Sequence, residues 1–421
     1  MEKNFLVVGD RIYSYKELFK EVNNINNSYK FIYVEGNDPY IIFCRIIHSI
    51  IYDYPIEIID GDLSQSEIES LEIDINAINY EGHNIIKENI DSDYKLVEML
   101  KERMDINNKY CWIISLYTSG TTGRPKKVEH TLKSLTRNVK IGSKFSDNVW
   151  GFAYNPTHMA GLQVFFQALL NENKIVYMFD ENRKNIKELI EEQGITHISA
   201  TSTFYRNILP YIRDCKFEFV KGITLGGEKS DSKIINELKN VFPNCKIKNI
   251  YASTEAGSLF ASNGENFLIP DKIKEYVKIN DFNELLINKK LLGFSESFNL
   301  EDEWYNTNDV VEKINEKEFK FKSRKTDMIN VGGYKVNVLE VEELLMQIEG
   351  VLDVYVYGRK NSVTGNIIGA DVVIENGYDE DKIKKYIKDY ATKNLQKWKI
   401  PRIIKVIDKI EQTRTGKKVR K

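Results

Sequence analysis

Leu116-Tyr-Thr-Ser-Gly-Thr-Thr-Gly-Arg-Pro-Lys-Lys127 is the stretch on which the reading of this chain turns. An apolar run, Trp112–Leu116, leads into it and reads as a strand. The nine residues from Thr118 to Lys126 then hold four hydroxyls, two glycines and a lysine. Gly120 and Gly123 let the backbone bend so that N–H groups converge on an anion. The hydroxyls of Thr118, Ser119, Thr121 and Thr122 can donate to phosphate oxygens, and Lys126 supplies positive charge. The GxxxxGK[ST] pattern of P-loop NTPases is absent. Taken alone, the same residues also suit a polar surface turn.

Outward from this loop, strand-like apolar runs alternate with amphipathic stretches. Lys174–Phe179 reads as a strand, 182–193 as a helix with Ile186, Leu189 and Ile190 on one face, and Gly194 as its stop. Ile195–Ala200 is the next strand, and Ile234, Ile235 and Leu238 lead through a second helix to a strand near Ile247–Ile250. Such βαβ units imply parallel sheets covered by helices. From about Asn263 to Trp304 the pattern shortens to alternating segments without a helix, which suggests a small β subdomain. After Arg324 an α+β order begins: a helix face of Val341, Leu344, Leu345 and Ile348, a strand through Val354 and Val356, and a helix face of Ile383, Tyr386, Ile387 and Tyr390. The fold class expected is therefore α/β. A large N-terminal domain, 1–322, precedes a small mobile C-terminal domain, 323–421, with the boundary at Ser323–Thr326.

At 421 residues the chain exceeds the usual single-core size. Lys+Arg (60) and Asp+Glu (62) nearly cancel, so bulk charge calls for neither nucleic acid nor an anionic membrane. No apolar run approaches the roughly 20 residues that span a bilayer. Four cysteines (Cys44, Cys111, Cys215, Cys245) lack CxxC spacing and read as reduced thiols, so a cytoplasmic setting is expected.

Five further segments join the glycine-rich loop in a fixed order. Thr118–Lys126 resembles the phosphate loop of the adenylate-forming superfamily, which includes acyl-CoA synthetases, peptide-synthetase adenylation domains and luciferases. Gly226-Gly227-Glu228 is similar to its adenine-side segment, Tyr251-Ala-Ser-Thr-Glu255 to its YGxTE motif and Tyr305-Asn-Thr-Asn-Asp309 to its YxTxD motif. Ser323 through Gly333 resembles its GRxxDxIxxGG hinge, and Thr413-Arg-Thr-Gly-Lys417 its terminal lysine motif. Tyr13–Leu18 is similar to its opening segment. The resemblance covers essentially the whole chain.

That resemblance implies a role for each residue. Glu255 would ligate Mg2+ against the ATP phosphates, as oxygen ligation of a hard cation requires. Thr254 would hydrogen-bond the α-phosphate, and Tyr251 would lie on the nucleotide side. Asp309 and Arg324 would bind the ribose. Lys417 would bridge the substrate carboxylate and the α-phosphate, where catalysis is positioning plus charge compensation. Gly332 and Gly333 would line a pantetheine tunnel. His158, in Asn155-Pro-Thr-His-Met-Ala-Gly161, would stand at the mouth of the acyl pocket, and that segment holds no Asp to pair with an ammonium. The implied activity is ATP-dependent formation of an acyl- or aryl-adenylate followed by transfer to CoA. Alternatives are a stand-alone ligase that loads carrier-protein pantetheine and a catalytically silent nucleotide sensor.

Three departures accompany the match. The interval from Glu255 to Tyr305 is short, so the β subdomain should be reduced. Glu411 replaces the proline that opens the terminal motif. The hinge position carries Thr326 where the family has Asp or Lys, while Asp327 is kept.

Overall fold

A computed structural model describes residues 3–25, 32–33, 38–60, 65–71, 92–104, 112–118, 126–179, 185–228, 230, 232–361, 364–412 and 418–419. Residues before Met328 build two main sheets. The smaller has four strands, Ile32–Tyr33, Ile56–Ile59, Ile113–Thr118 and Lys126–Thr131, the first three parallel and the last antiparallel. The larger has a parallel centre in which Asn4–Val8, Lys174–Tyr177, Val149–Ala153, His197–Ala200, Gly222–Gly226 and Lys246–Ser253 lie side by side.

The βαβ reading is met at this centre. The helix Ile186–Gln193 buries Ile186 and Ile190 and ends at Gly194 in the left-handed region, φ 62°. The helix Ser232–Val241 buries Ile234 and Leu238 beneath the same sheet. At the front of the chain, Ser14 and Glu17 form a reciprocal capping box that starts the helix Tyr15–Asn24. The helix Pro39–Ile51, buried on nearly all sides, fills the space between the two sheets, with Phe43 stacked on Phe165 at 4.2 Å.

The β region after Asn263 is bound more closely to the large sheet than a separate subdomain would be. Lys246–Ser253 pairs antiparallel with Gly257–Asn263, and pairing continues through Asn266–Leu268, Glu318–Arg324, Trp304–Asn315 and Glu284–Asn288 to Val277–Ile279. A register shift between Tyr251 and Ala252 marks the change from parallel to antiparallel pairing, as a bulge bends a strand. These strands still enclose their own core around Leu285, Ile287, Val311 and Phe319.

The C-terminal region has a separate core. Val351–Asn361, Gly365–Ile374 and Ile403–Val406 form a three-stranded sheet, covered by the helices Val338–Leu345 and Glu380–Asn394. Val341, Leu345, Ile383 and Ile387 are buried as the periodicity implies, whereas Tyr386 is exposed. The hairpin Met328–Val331 and Tyr334–Asn337 precedes this sheet. Among the described residues no helix is long and apolar enough to cross a membrane, and Cys44, Cys215 and Cys245 are free. Cys111 lies outside the described residues.

Candidate active site

The strands on either side of the phosphate-loop segment pair Thr118 with Lys126 and Tyr117 with Lys127. Ser119, Gly120, Thr121, Thr122 and Gly123, all expected to hold phosphate, lie outside the described residues, as does the side chain of Thr118. Neighbouring residues of a strand point to opposite faces, and the two lysines here illustrate the result. Lys127 meets Glu57 at 2.5 Å and Glu129 at 3.3 Å. Half-burial pulls its pKa down, but the two carboxylates outweigh that and raise it. Lys126 is half-buried and makes no ion pair among the described residues.

The turn after Ser253 is held by its backbone. His130 Nε2 lies 2.7 Å from the Thr254 carbonyl, which can only accept, so Nε2 carries the proton. Burial drives this imidazole down to about 4, which keeps it neutral. Gly293 N–H donates to the Glu255 carbonyl at 2.7 Å, and Arg137 donates to the Ala256 carbonyl at 3.3 Å. Only glycine fits at 293, because a Cβ there would sit 2.6 Å from the Glu129 carbonyl oxygen. The strand pair Glu129–Phe294 fixes the same contact, with hydrogen bonds of 2.7 and 2.8 Å. The Thr254 hydroxyl and the Glu255 carboxylate have no hydrogen-bond partner among the described residues. Tyr305 is pushed up to about 12 by burial and by the charge of nearby Glu255.

Asp309 is held in the opposite way. It is fully buried, its Oδ1 accepts from Arg324 Nε at 2.6 Å, and its Oδ2 accepts from Tyr251 Oη at 2.5 Å. Cross-strand pairing of Asp309 with Arg324 sets up the first contact. Burial and the Asp309 charge raise Tyr251 far above the ordinary phenol range. Before Asp309 the chain turns through Asn308 at φ 60°, a conformation asparagine tolerates better than most residues. The Thr307 hydroxyl donates to the Leu285 carbonyl at 2.8 Å and accepts from Asp309 N–H at 3.1 Å. Glu284, buried on the adjoining strand, accepts from Asn280 and Asn306 at 2.9 Å each and pairs with Lys325. Burial alone would raise the Glu284 pKa, but Lys325 and the two amides lower it.

His158 precedes the helix Met159–Leu169, and its Nε2 meets Asp60 Oδ2 at 2.9 Å. Asn155 donates to the same oxygen at 3.1 Å and receives the Thr157 N–H and hydroxyl at 2.9 and 2.8 Å. Gly161 allows this fold-back, since a Cβ there would lie 2.5 Å from the Asn155 carbonyl oxygen. Asp60 was not among the residues expected here. It lies 98 residues before His158, so the lack of Asp within Asn155–Gly161 does not leave the segment without a carboxylate.

Glu228, after Gly226 and Gly227, caps the helix Ser202–Ile212. It accepts from Thr203 N–H at 2.9 Å and from the Thr203 hydroxyl at 2.7 Å. Its Oε1 also accepts from Lys418 N–H at 3.2 Å, across 190 residues. Gly332 and Gly333 lie in the exposed hairpin, with their N–H groups on the Thr364 carbonyl at 2.8 Å and on Asn330 Oδ1 at 3.0 Å. Lys417 lies outside the described residues. The structure thus gathers Tyr251, Thr254, Glu255, Tyr305, Asp309 and Arg324 around one end of the large sheet. Sequence reading missed His130, Glu284 and Asp60. Each acts across many residues, and neither spacing nor composition marks it.

Residues 63–278 match the AMP-binding enzyme family, and residues 340–417 match the AMP-binding enzyme C-terminal domain. The chain belongs to the AMP-binding enzyme family. It is 27% identical over 341 residues to 4-hydroxybutyrate–CoA ligase 1 of Metallosphaera sedula, a match covering 72% of this chain and 60% of that enzyme. It is 26% identical over 335 residues to the 2-succinylbenzoate–CoA ligase of Listeria monocytogenes, covering 72% of this chain and 67% of that enzyme. In fold it is similar to the o-succinylbenzoate CoA synthetase of Bacillus subtilis in complex with its acyl-adenylate intermediate. That structure gives a TM-score of 0.70 at 20% identity, covering 100% of this chain and 94% of that one.

Proposed function

We propose that the protein joins a carboxylic acid to AMP at the expense of ATP and passes the acyl group to CoA. In the first step a carboxylate oxygen bonds to the α-phosphorus and the bond to pyrophosphate breaks. In the second a thiol sulfur bonds to the acyl carbon and AMP leaves. Neither step needs a redox group. The observation that carries this reading is the Thr254–Glu255 turn: its backbone is clamped by His130 and Gly293, while its hydroxyl and carboxylate have no hydrogen-bond partner among the described residues.

The donor set suits Mg2+ shared with phosphates. A single carboxylate, Glu255, together with phosphate oxygens of the substrate suits a hard cation. Bound there, the ion would offset phosphate charge. Arg324, oriented by the buried Asp309, would meet the ribose, Lys126 the phosphates and Lys417 the reacting carboxylate. His158, oriented by Asp60, would border the acid. We infer an acid without an α-amino group from the lack of an acidic residue within Asn155–Gly161, where the carboxylate that approaches, Asp60, is turned to His158 and Asn155. Residues 327–421 would turn about Thr326, in the short helix Lys325–Asp327, to alternate between the two steps. The need for ATP and CoA supports a cytoplasmic setting.

A screen of pyrophosphate release and hydroxamate formation over fatty, benzoic, succinyl-type and amino acids, with and without CoA, tests the proposal. Acid-dependent release that needs Mg2+ and is accelerated by CoA is expected. Adenylate that CoA fails to discharge would move the acceptor to carrier-bound pantetheine. Nucleotide binding without turnover of any acid would overturn the reading in favour of a silent sensor.

A further inference from the structure

Lys418 joins two regions of the molecule. Its backbone N–H donates to Glu228 Oε1 at 3.2 Å, in the segment that also caps the helix Ser202–Ile212. Its side chain runs the other way, into the C-terminal region. There Nζ lies 2.6 Å from Asp353 Oδ1 and 2.6 Å from the Val354 carbonyl oxygen. The pair is well sheltered, at 9% and 13% side-chain exposure. The strand Val351–Asn361 shifts register between Val351 and Asp353, and Asp353 Oδ1 also accepts the Val354 N–H at 3.0 Å, so the carboxylate is held ready. On the backbone side, Lys418 bridges antiparallel to Gln412, and Val419 N–H donates to the Glu411 carbonyl at 2.9 Å.

A buried lysine with both a carboxylate and a carbonyl is a specific, oriented contact, unlike a solvated surface pair. An ordinary solvated tail would leave this lysine in water. Its amine is already engaged inside the C-terminal region, so it is not available to a substrate carboxylate.

We propose that Lys418 is a positioning residue for acid activation. By gripping Asp353 and Val354 with its side chain and Glu228 with its backbone, it sets the C-terminal region against the nucleotide-side segment. It acts on the reaction through the adjacent terminal motif, and in that respect rests on the function proposed above. Thiol transfer, which uses the other arrangement of the C-terminal region, does not need this grip.

Lys418→Met keeps the side chain to within one atom of its length and removes the charged amine. It should lower kcat for pyrophosphate release about tenfold with the KM for ATP little changed. Transfer from a synthetic acyl-adenylate to CoA should stay within about twofold of wild type. Asp353→Asn, which can still accept the Val354 N–H, should give the same pattern at smaller size and serves if Lys418→Met does not fold. Backbone amide exchange at Lys418 and Val419 should rise about tenfold in both variants, a readout independent of turnover. Parallel loss of both half-reactions, or unchanged amide exchange, would overturn the proposal. Inactivity of the wild type with every acid, alongside faster exchange in the variants, would instead count against the wider functional reading and leave the tether standing.

Discussion

Asp309 and Glu255 both come from short motifs ending in a carboxylate, yet the fold treats them in contrary ways. Asp309 is fully buried, and each of its oxygens is taken by a protein donor, Arg324 or Tyr251. Glu255 is held by its backbone carbonyl while its carboxylate has no protein partner among the described residues. Both arrangements fix a position. The first makes the side chain part of the frame, so changing it disturbs folding and binding together. The second holds the residue by its backbone, so the side chain can change at little structural expense. Lys127 and Lys126 repeat the contrast on a single strand.

The largest effect should come from the embedded member. Asp309→Ala takes from the buried Tyr251 hydroxyl its acceptor at 2.5 Å, while half-exposed Arg324 regains water. Together these should cost roughly 2–4 kcal/mol of stability, read as a fall of several degrees in Tm. ATP affinity should fall with it. A variant as stable as wild type would break the comparison at its root.

Glu255→Gln should lower pyrophosphate release about 100-fold, equivalent to about 2.7 kcal/mol, and raise the Mg2+ concentration needed. Its Tm should stay within about a degree of wild type, because the clamp on the backbone is untouched. Unfolding of this variant would show that Glu255 is structural after all.

The clamp itself should show in pH dependence. Burial lowers the His130 pKa from the ordinary 6.5 to about 4, so between those values the unfolded chain binds a proton that the folded chain does not. Stability from this residue is therefore complete above pH 6.5 and is lost as pH falls towards 4. The loss should be roughly 2 kcal/mol between pH 7.5 and pH 5. His130→Gln should flatten denaturant-unfolding curves by that amount over the same interval. His197, also driven to about 4 by burial and Lys221, keeps its own share in both proteins. An unchanged slope would mean that His130 is not the neutral clamp.

The smallest pair of effects sharpens the lysine contrast. Lys127→Met should cost about 1 kcal/mol, because its ion pairs are partly exposed, and should leave the KM for ATP near wild type. Lys126→Met should leave Tm unchanged and raise the KM for ATP about tenfold. Exchanged outcomes would assign the phosphate contact to the wrong neighbour.

Much of this was legible along the chain. The apolar period around Ile186–Ile190, with Gly194 behind it, specified a helix, and Val354 and Val356 specified a buried strand face. The order of the glycine-rich, GGE, YASTE and YNTND segments pointed to the nucleotide chemistry. The contacts that set the geometry of those segments were not legible. His130 and Thr254 lie 124 residues apart, and Asp60 and His158 lie 98 apart. The β region after Asn263 was read as a small subdomain because its strands are short. Its continuity with the large sheet depends on a pairing at Tyr251–Ala252 that no local pattern encodes.

What the sequence determined by itself were the features decided within a few residues: helix stops, strand faces, the capping box of Ser14 and Glu17, and the chemical character of each motif. Short-range backbone preference and hydrophobic period suffice for those. Only the tertiary structure decided which charged groups are paired within the protein and which have no partner among the described residues. Lys126 and Lys127, or Asp309 and Glu255, are alike as residue types. They differ only in the donors and acceptors that distant strands bring beside them, and long-range packing settles that assignment.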